Sequence, residues 1–225
     1  MVIEIIYQDN HLLVVNKPAG VLAQGDRTGD ESILDWSKAY IKKKYQKPGN
    51  VFAGSVHRLD RPVSGVIIIA RTSKALSRLQ KQFQERTVEK VYWALVTGNL
   101  PEEQGRLVHW LRKDAHKNRS NITAPGSKHA KESILDFRLL SAKGKRRLLE
   151  VKPKTGRTHQ IRAQLAAIGT PIVGDLKYGD TQKLRNGSIA LHAQSITIMH
   201  PIKKEAITFE ASLPNTDLWK SYQGQ

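Results

Sequence analysis

The run Gly65-Val66-Ile67-Ile68-Ile69-Ala70 constrains the fold more than any other segment of this 225-residue chain. Its aliphatic side chains follow one another without alternation, so both faces of an extended segment are apolar here. The run therefore reads as a strand covered on both sides, and its neighbours must supply two apolar layers. Val66 to Ala70 is also the longest aliphatic stretch, far below the roughly 20 residues a membrane-spanning helix needs. Met1-Val2-Ile3-Glu4 lacks the basic and apolar stretches of a secretory signal. With no cysteine, disulfides, iron–sulfur clusters, cysteine-held zinc and thiol nucleophiles are excluded, and a reducing, cytoplasmic setting is expected.

Short strands are expected at Ile3–Tyr7 and Leu12–Val15, joined by a turn at Asp9-Asn10, with a second turn at Asn16-Lys17-Pro18-Ala19-Gly20. Asp30 is placed to cap a helix running to about Tyr45, with Ile33, Trp36 and Tyr40 on one side. Its basic end, Lys42-Lys43-Lys44 with Lys47, suits a solvated helix end facing the dipole, or a phosphate contact. Thr72 or Ser73 is expected to cap a helix with Leu76, Leu79 and Phe83 on one face. Strands follow at Val91–Thr97, Ile134–Leu140 and Arg147–Val151. Thr158 is a candidate cap for a helix with Ile161, Leu165 and Ile168 inward, ended by Gly169. The last third alternates as strands at Ile189 to Ala193, at Ile196 and Ile198, and at Ile207 to Ala211. From Gly98 to about Lys131 the chain is polar, lacks periodicity and is expected to be irregular. Strands and helices mix without a regular βαβ alternation, which predicts an α+β fold. A single domain over residues 1–225 is the simplest organisation for this length.

Charge narrows the partner. Lys and Arg number 37 against 20 Asp and Glu, a net charge of +17. Residues 1–37 hold two basic and six acidic groups, so the remaining chain carries 35 basic groups against 14 acidic. A field of that size attracts a polyanion, of which nucleic acid is the usual one. The eight histidines show no metal-ligand spacing, and neither Asp30-Glu31 nor Glu102-Glu103 lies in an apolar setting suited to a two-metal site. No metal is expected. Phosphate-loop, zinc-hydrolase and nucleophile-elbow motifs are absent.

Two segments carry chemistry. In His57-Arg58-Leu59-Asp60-Arg61-Pro62-Val63-Ser64-Gly65, Asp60 lies between basic residues just before the apolar strand. It reads either as a reactive carboxylate or as the cap of a tight turn. In Lys154-Thr155-Gly156-Arg157-Thr158-His159-Gln160-Ile161-Arg162 a glycine turn enters a helix, offering free N–H groups and cations to an anion.

These segments resemble the signature motifs of the RluA-type RNA pseudouridine synthases. His57-Arg58-Leu59-Asp60 with Ser64-Gly65 is similar to the central motif, and Lys17-Pro18-Ala19-Gly20 to the N-terminal one. Lys90 to Gly98 resembles the tyrosine-bearing strand, and Thr155 to Arg162 the third motif, followed by Gly174-Asp175 and Tyr178-Gly179. The resemblance runs from about residue 3 to residue 213. Val63 stands where the family usually has Thr, and Ala163-Gln164 where Val-His is common. Many relatives carry an N-terminal S4 RNA-binding domain. The chain begins at the catalytic region, so its RNA affinity is expected from that region's own basic surface.

The resemblance implies a largely antiparallel mixed sheet flanked by helices, with an active-site cleft. It implies isomerisation of uridine to pseudouridine in ribosomal or transfer RNA, without a cofactor. It makes Asp60 the essential carboxylate, acting as a nucleophile toward sugar or base, or as a base at the ribose. It makes Arg162 the ion-pair partner of Asp60, and Tyr92 the residue that stacks on the target base. Arg58 would fill the gap left by an extruded base, and Ile161 would pack on the uracil or serve the core. Arg112, Lys113, Lys117 and Arg119, with Lys143, Lys145, Arg146 and Arg147, are candidate phosphate contacts. A monomer is expected. Two other functions fit the residues: a noncatalytic RNA-binding or ribosome-assembly module, and a metal-independent ribonuclease using His57 and His159.

Overall fold

The computed structural model describes residues 2–224. Along the chain the elements are β1 (Glu4–Gln8), β2 (Leu12–Lys17), α1 (Ile33–Lys44), β3 (Gly54–Ser55), β4 (Ser64–Ala70) and α2 (Ser73–Glu85). Then come β5 (Glu89–Val96), β6 (Gln104–Asp114), β7 (Arg119–Thr123), β8 (Lys131–Lys143), β9 (Arg146–Pro153), α3 (Gln160–Ala167), β10 (Leu191–Met199), β11 (Ala206–Glu210) and the short α4 (Asp217–Lys220). Single 3-10 turns at Leu176–Tyr178 and Arg185–Gly187 lie between α3 and β10. The mixture is α+β, as expected. Among the described residues no helix is long and apolar enough to cross a membrane. Two compact units are formed, Met1–Glu89 with Ala193–Pro214, and Lys90–His192 with Asn215–Gln225.

In the first unit β4 is buried along its whole length and pairs antiparallel with β2, Leu12 opposite Ala70 through Lys17 opposite Gly65. The two apolar layers demanded by the sequence are both present. Leu12, Val14, Val66 and Ile68 face Ala75 and Leu79 of α2, together with Ile196, Ile198 and Phe209 of β10 and β11. Leu13, Val15, Ile67 and Ile69 face Ile33 and Ile41 of α1. Each such side chain contributes about 1.5–3 kcal/mol on burial, so the double layer holds this unit together. Gly65 has φ +117°, and a Cβ there would lie 2.2 Å from the Ala193 carbonyl oxygen. Gly65→Ala is therefore expected to cost about 3 kcal/mol or more, since backbone cannot move aside as a side chain can. A denaturant midpoint unchanged from wild type would contradict this.

In the second unit the strands run β5-β9-β8-β6-β7, each pair antiparallel. α3 packs through Ala163 and Ala166 against Leu111 and Tyr178. The polar stretch after Gly98 is irregular only at its ends, residues 98–103 and 124–130: its middle forms β6 and β7, a hairpin whose turn spans residues 115–118. Of β6 only Leu111 is buried, so there is no alternation to detect. Ladder hydrogen bonds and cross-strand pairs hold it instead, such as Arg106 with Asp136 at 2.6 Å.

Three local expectations change. Ser32, not Asp30, caps α1, through a capping box with Asp35, while Asp30 pairs with Arg61 at 2.7 Å. His159 in the left-handed region, not Thr158, precedes α3, with no side-chain cap. Leu191 to Met199 is one continuous strand rather than two, and Ile189 lies before it. Thr72 caps α2 as expected, and Gly169 with φ +78° follows α3.

Candidate functional site

In the first unit the Asp60 turn is fastened to the Lys17-Pro18-Ala19-Gly20 turn. The Val63 amide donates to the Asp60 carbonyl at 3.0 Å, closing a tight turn that leads into β4. The Arg61 carbonyl accepts from the Gly20 amide at 2.8 Å, and Arg61 Nε donates back to the Gly20 carbonyl at 2.9 Å. Lys17 Nζ, fully buried, donates to the carbonyls of Pro18, Val21 and Arg61 at 3.0, 2.7 and 3.2 Å. Three acceptors match the three hydrogens of an ammonium group. Burial pushes the Lys17 pKa down to about 7, against the attraction of the Asp60 carboxylate and with the repulsion of Arg61. Lys17 is thus a buried cation that acts on Asp60, which its motif alone did not disclose.

That shift has a signed consequence. An unfolded Lys17 holds its proton up to its ordinary 10.5, whereas the folded one releases it above about 7. Between those values the unfolded chain binds more protons, so Lys17 makes stability rise with pH. Denaturant unfolding of wild type and Lys17→Met across that window is expected to show the rise in wild type and its loss in the variant. Parallel curves would refute the assignment.

His57 is fixed in the same unit. Its Nε2 accepts the Ile68 amide at 3.1 Å, and its ring stacks on Phe83 at 5.0 Å. Arg58 is exposed, and Asp60 is half-buried.

The second unit carries the other candidates. Tyr92 on β5 is half-buried and opposite Val151 of β9. Arg162 on α3 is buried, and its guanidinium is gripped by both oxygens of Asp175, Nε at 2.7 Å and Nη2 at 2.9 Å. Asp175 is itself 1% exposed. Ile161 is buried. The start of α3 is set by Gln160, whose Oε1 accepts from Thr155 Oγ1 and the Arg157 amide at 2.7 and 3.0 Å, while its Nε2 donates to the Ile134 carbonyl. This explains the Thr155-to-Gln160 spacing as local architecture.

Among the candidate phosphate contacts, Arg112, Lys113, Lys117 and Lys145 are exposed. Lys143 donates to the Ser221 carbonyl and lies over the Tyr222 ring. Arg147 donates to the Gly144 carbonyl at 2.7 Å, and Arg146 Nη2 lies 3.4 Å from Gln182 Oε1. Arg119 is half-buried, with its guanidinium 4.8 Å from the centre of the Tyr178 ring. Lys17, Asp175 and Tyr178 are the residues whose roles the sequence reading left blank. The last two stand in the Gly174-Asp175 and Tyr178-Gly179 pairs, and their side-chain partners are remote in sequence. Among the described residues no cluster of three metal-ligating side chains is present.

Residues 11–167 match the RNA pseudouridylate synthase family. The chain is 36% identical over 216 residues to the uncharacterized RNA pseudouridine synthase YhcT of Bacillus subtilis, covering 94% of this chain and 69% of that protein. It is 34% identical to the dual-specificity RNA pseudouridine synthase RluA of Haemophilus influenzae, covering 93% and 92% of the two chains. Against the ribosomal large subunit pseudouridine synthase C of Vibrio cholerae it is 34% identical, and the match spans 65% of that protein. Among solved structures, human RNA pseudouridylate synthase domain containing 4 superimposes with a TM-score of 0.79 at 25% identity, over 94% of this chain and 89% of that one.

Proposed function

The chain belongs to the RNA pseudouridylate synthase family, and we propose that it isomerises uridine to pseudouridine in structured ribosomal or transfer RNA, with Asp60 as the essential carboxylate. In that reaction the N1–C1′ bond breaks, the uracil turns, and a C5–C1′ bond forms. C5 loses its hydrogen as a proton and N1 gains one, so atoms balance without a cofactor. Tyr92 stacks on the target base and Arg162 supplies a fixed cation. Arg58 takes the space of the extruded base, recovering by stacking part of the few kcal/mol that extrusion costs. The exposed Arg112, Lys113, Lys117 and Lys145, with Arg146 and Arg147, supply salt-dependent phosphate contacts. The protein works as a monomer.

The observation that carries this reading is the fastening of the Asp60 turn. Two hydrogen bonds to the Arg61 carbonyl and one from the Arg61 side chain tie it to the Lys17–Gly20 turn, and a buried ammonium group attracts its carboxylate. A turn-capping Asp alone would need no such support. The ribonuclease alternative loses support from His57, whose Nε2 accepts a backbone amide and cannot take a proton from a ribose hydroxyl.

The test is tritium release from unmodified ribosomal and transfer RNA transcripts labelled with [5-³H]uridine, assayed separately. Release without shortening of the RNA is expected. Shortened RNA on a gel would restore the ribonuclease. Tight RNA binding with no release from either class would favour the noncatalytic module.

A further inference from the structure

Tyr178 sits where two cationic side chains of different elements meet. Its ring is buried, with the Arg119 guanidinium carbon 4.8 Å and the Arg162 guanidinium carbon 5.1 Å from the ring centre. Its hydroxyl oxygen accepts from the Ser120 amide at 2.8 Å and lies 3.1 Å from both the Ser120 carbonyl and His159 Nδ1. Ser120 Oγ in turn donates to the Thr158 carbonyl at 2.6 Å, just ahead of α3. One tyrosine therefore joins the first two residues of β7 to the helix that carries Arg162.

The charges make this joint more than packing. Arg162 has Asp175 to balance it, whereas Arg119 Nε is buried with no hydrogen-bond partner. The ring face is what Arg119 leans on, since an aromatic quadrupole attracts a cation most strongly where water is excluded. A guanidinium committed to a ring is poorly placed to reach a phosphate. Arg119 also terminates the hairpin whose other cations, Arg112, Lys113 and Lys117, are exposed.

We propose that Tyr178 is a positioning residue that sets the Arg162 guanidinium according to how β7 is seated, with Arg119 acting through the Tyr178 ring and not on RNA phosphate. The proposal rests on Arg162 taking part in the reaction. It makes RNA held by the hairpin's exposed cations felt at Arg162, through contacts that lie wholly within the second unit.

The test uses the full chain and the labelled ribosomal or transfer RNA transcript that releases tritium with wild type. Arg119→Met is expected to lower kcat about tenfold with KM unchanged, because a positioning loss falls on the transition state and not on RNA binding. Its salt slope of binding should equal that of wild type, whereas Arg112→Met should flatten the slope by about one and raise KM. Arg119→Lys should recover part of the lost kcat, and Tyr178→Phe should retain more kcat than Tyr178→Leu. If Tyr178→Leu does not fold, the two Arg119 variants carry the test. An Arg119→Met protein with wild-type kcat and a flattened slope would overturn the proposal, marking Arg119 as a phosphate contact. Equal kcat losses in Tyr178→Phe and Tyr178→Leu, with Arg119→Met unaffected, would also overturn it. Full kcat in Arg162→Lys would sink the role of Arg162, and an inactive wild type would sink the activity. Either result takes the proposal down for a reason distinct from the first two.

Discussion

Asp60→Ala is expected to abolish tritium release, by about 10⁴-fold or more, because the substitution removes the carboxylate that acts directly on the reacting atoms. The tight turn itself should persist in the variant. Asp60 is half-buried, and the turn around it is held by backbone carbonyls and by Lys17 and Arg61, none of which the substitution removes. One further change is expected in the variant. The Asp60 carboxylate is what opposes burial in setting the Lys17 pKa, so its removal should push that pKa below about 7. The same pH series of unfolding proposed for Lys17→Met reads this as a stability rise that begins at lower pH. Measurable isomerase activity in Asp60→Ala would require another residue to be the essential group.

The second large effect is expected at Asp175. Its carboxylate is 1% exposed and makes two charge-assisted hydrogen bonds to Arg162. Asp175→Ala leaves a buried guanidinium without its bidentate partner, a change that costs about 3–5 kcal/mol. Thermal unfolding should move down by roughly 10 °C, at 2–4 °C per kcal/mol for a chain of this size. Asp175→Asn keeps one acceptor and should fall between wild type and the alanine variant. Activity should drop in both, since a guanidinium released from Asp175 no longer holds one orientation. An Asp175→Ala protein with the wild-type melting temperature would show that the pair contributes nothing to the fold.

What could be read from residue order depended on whether a local pattern carried the physics. Val66 to Ala70 reads as a strand covered on both faces, and both covering layers are present in α1 and α2. The cap at Thr72 and the stop at Gly169 were legible because capping is a contact between residues three or four apart. The cap at Ser32 was misread because Asp30 also has a capping side chain. Only the fold shows that Asp30 is engaged by Arg61, 31 positions away. The hairpin of β6 and β7 was invisible because a strand with a single buried residue has no alternation, and its stability lies in ladder bonds to β8.

The same division runs through the candidate site. Asp60, Tyr92 and Arg162 were legible as candidates through the resemblance of their motifs to a known family. The expectation of a polyanionic partner was legible too, since net charge needs no geometry. The sequence also contained Lys17, Asp175 and Tyr178 within those motifs but offered no reason for them. Their work is to bury a charge against three carbonyls, to grip a guanidinium from 13 residues away, and to join β7 to α3. Each of these depends on desolvation and on contacts between segments distant in sequence. The energy of a buried charge or an aromatic face exists only once the chain has excluded water around it, and that was decided by tertiary structure.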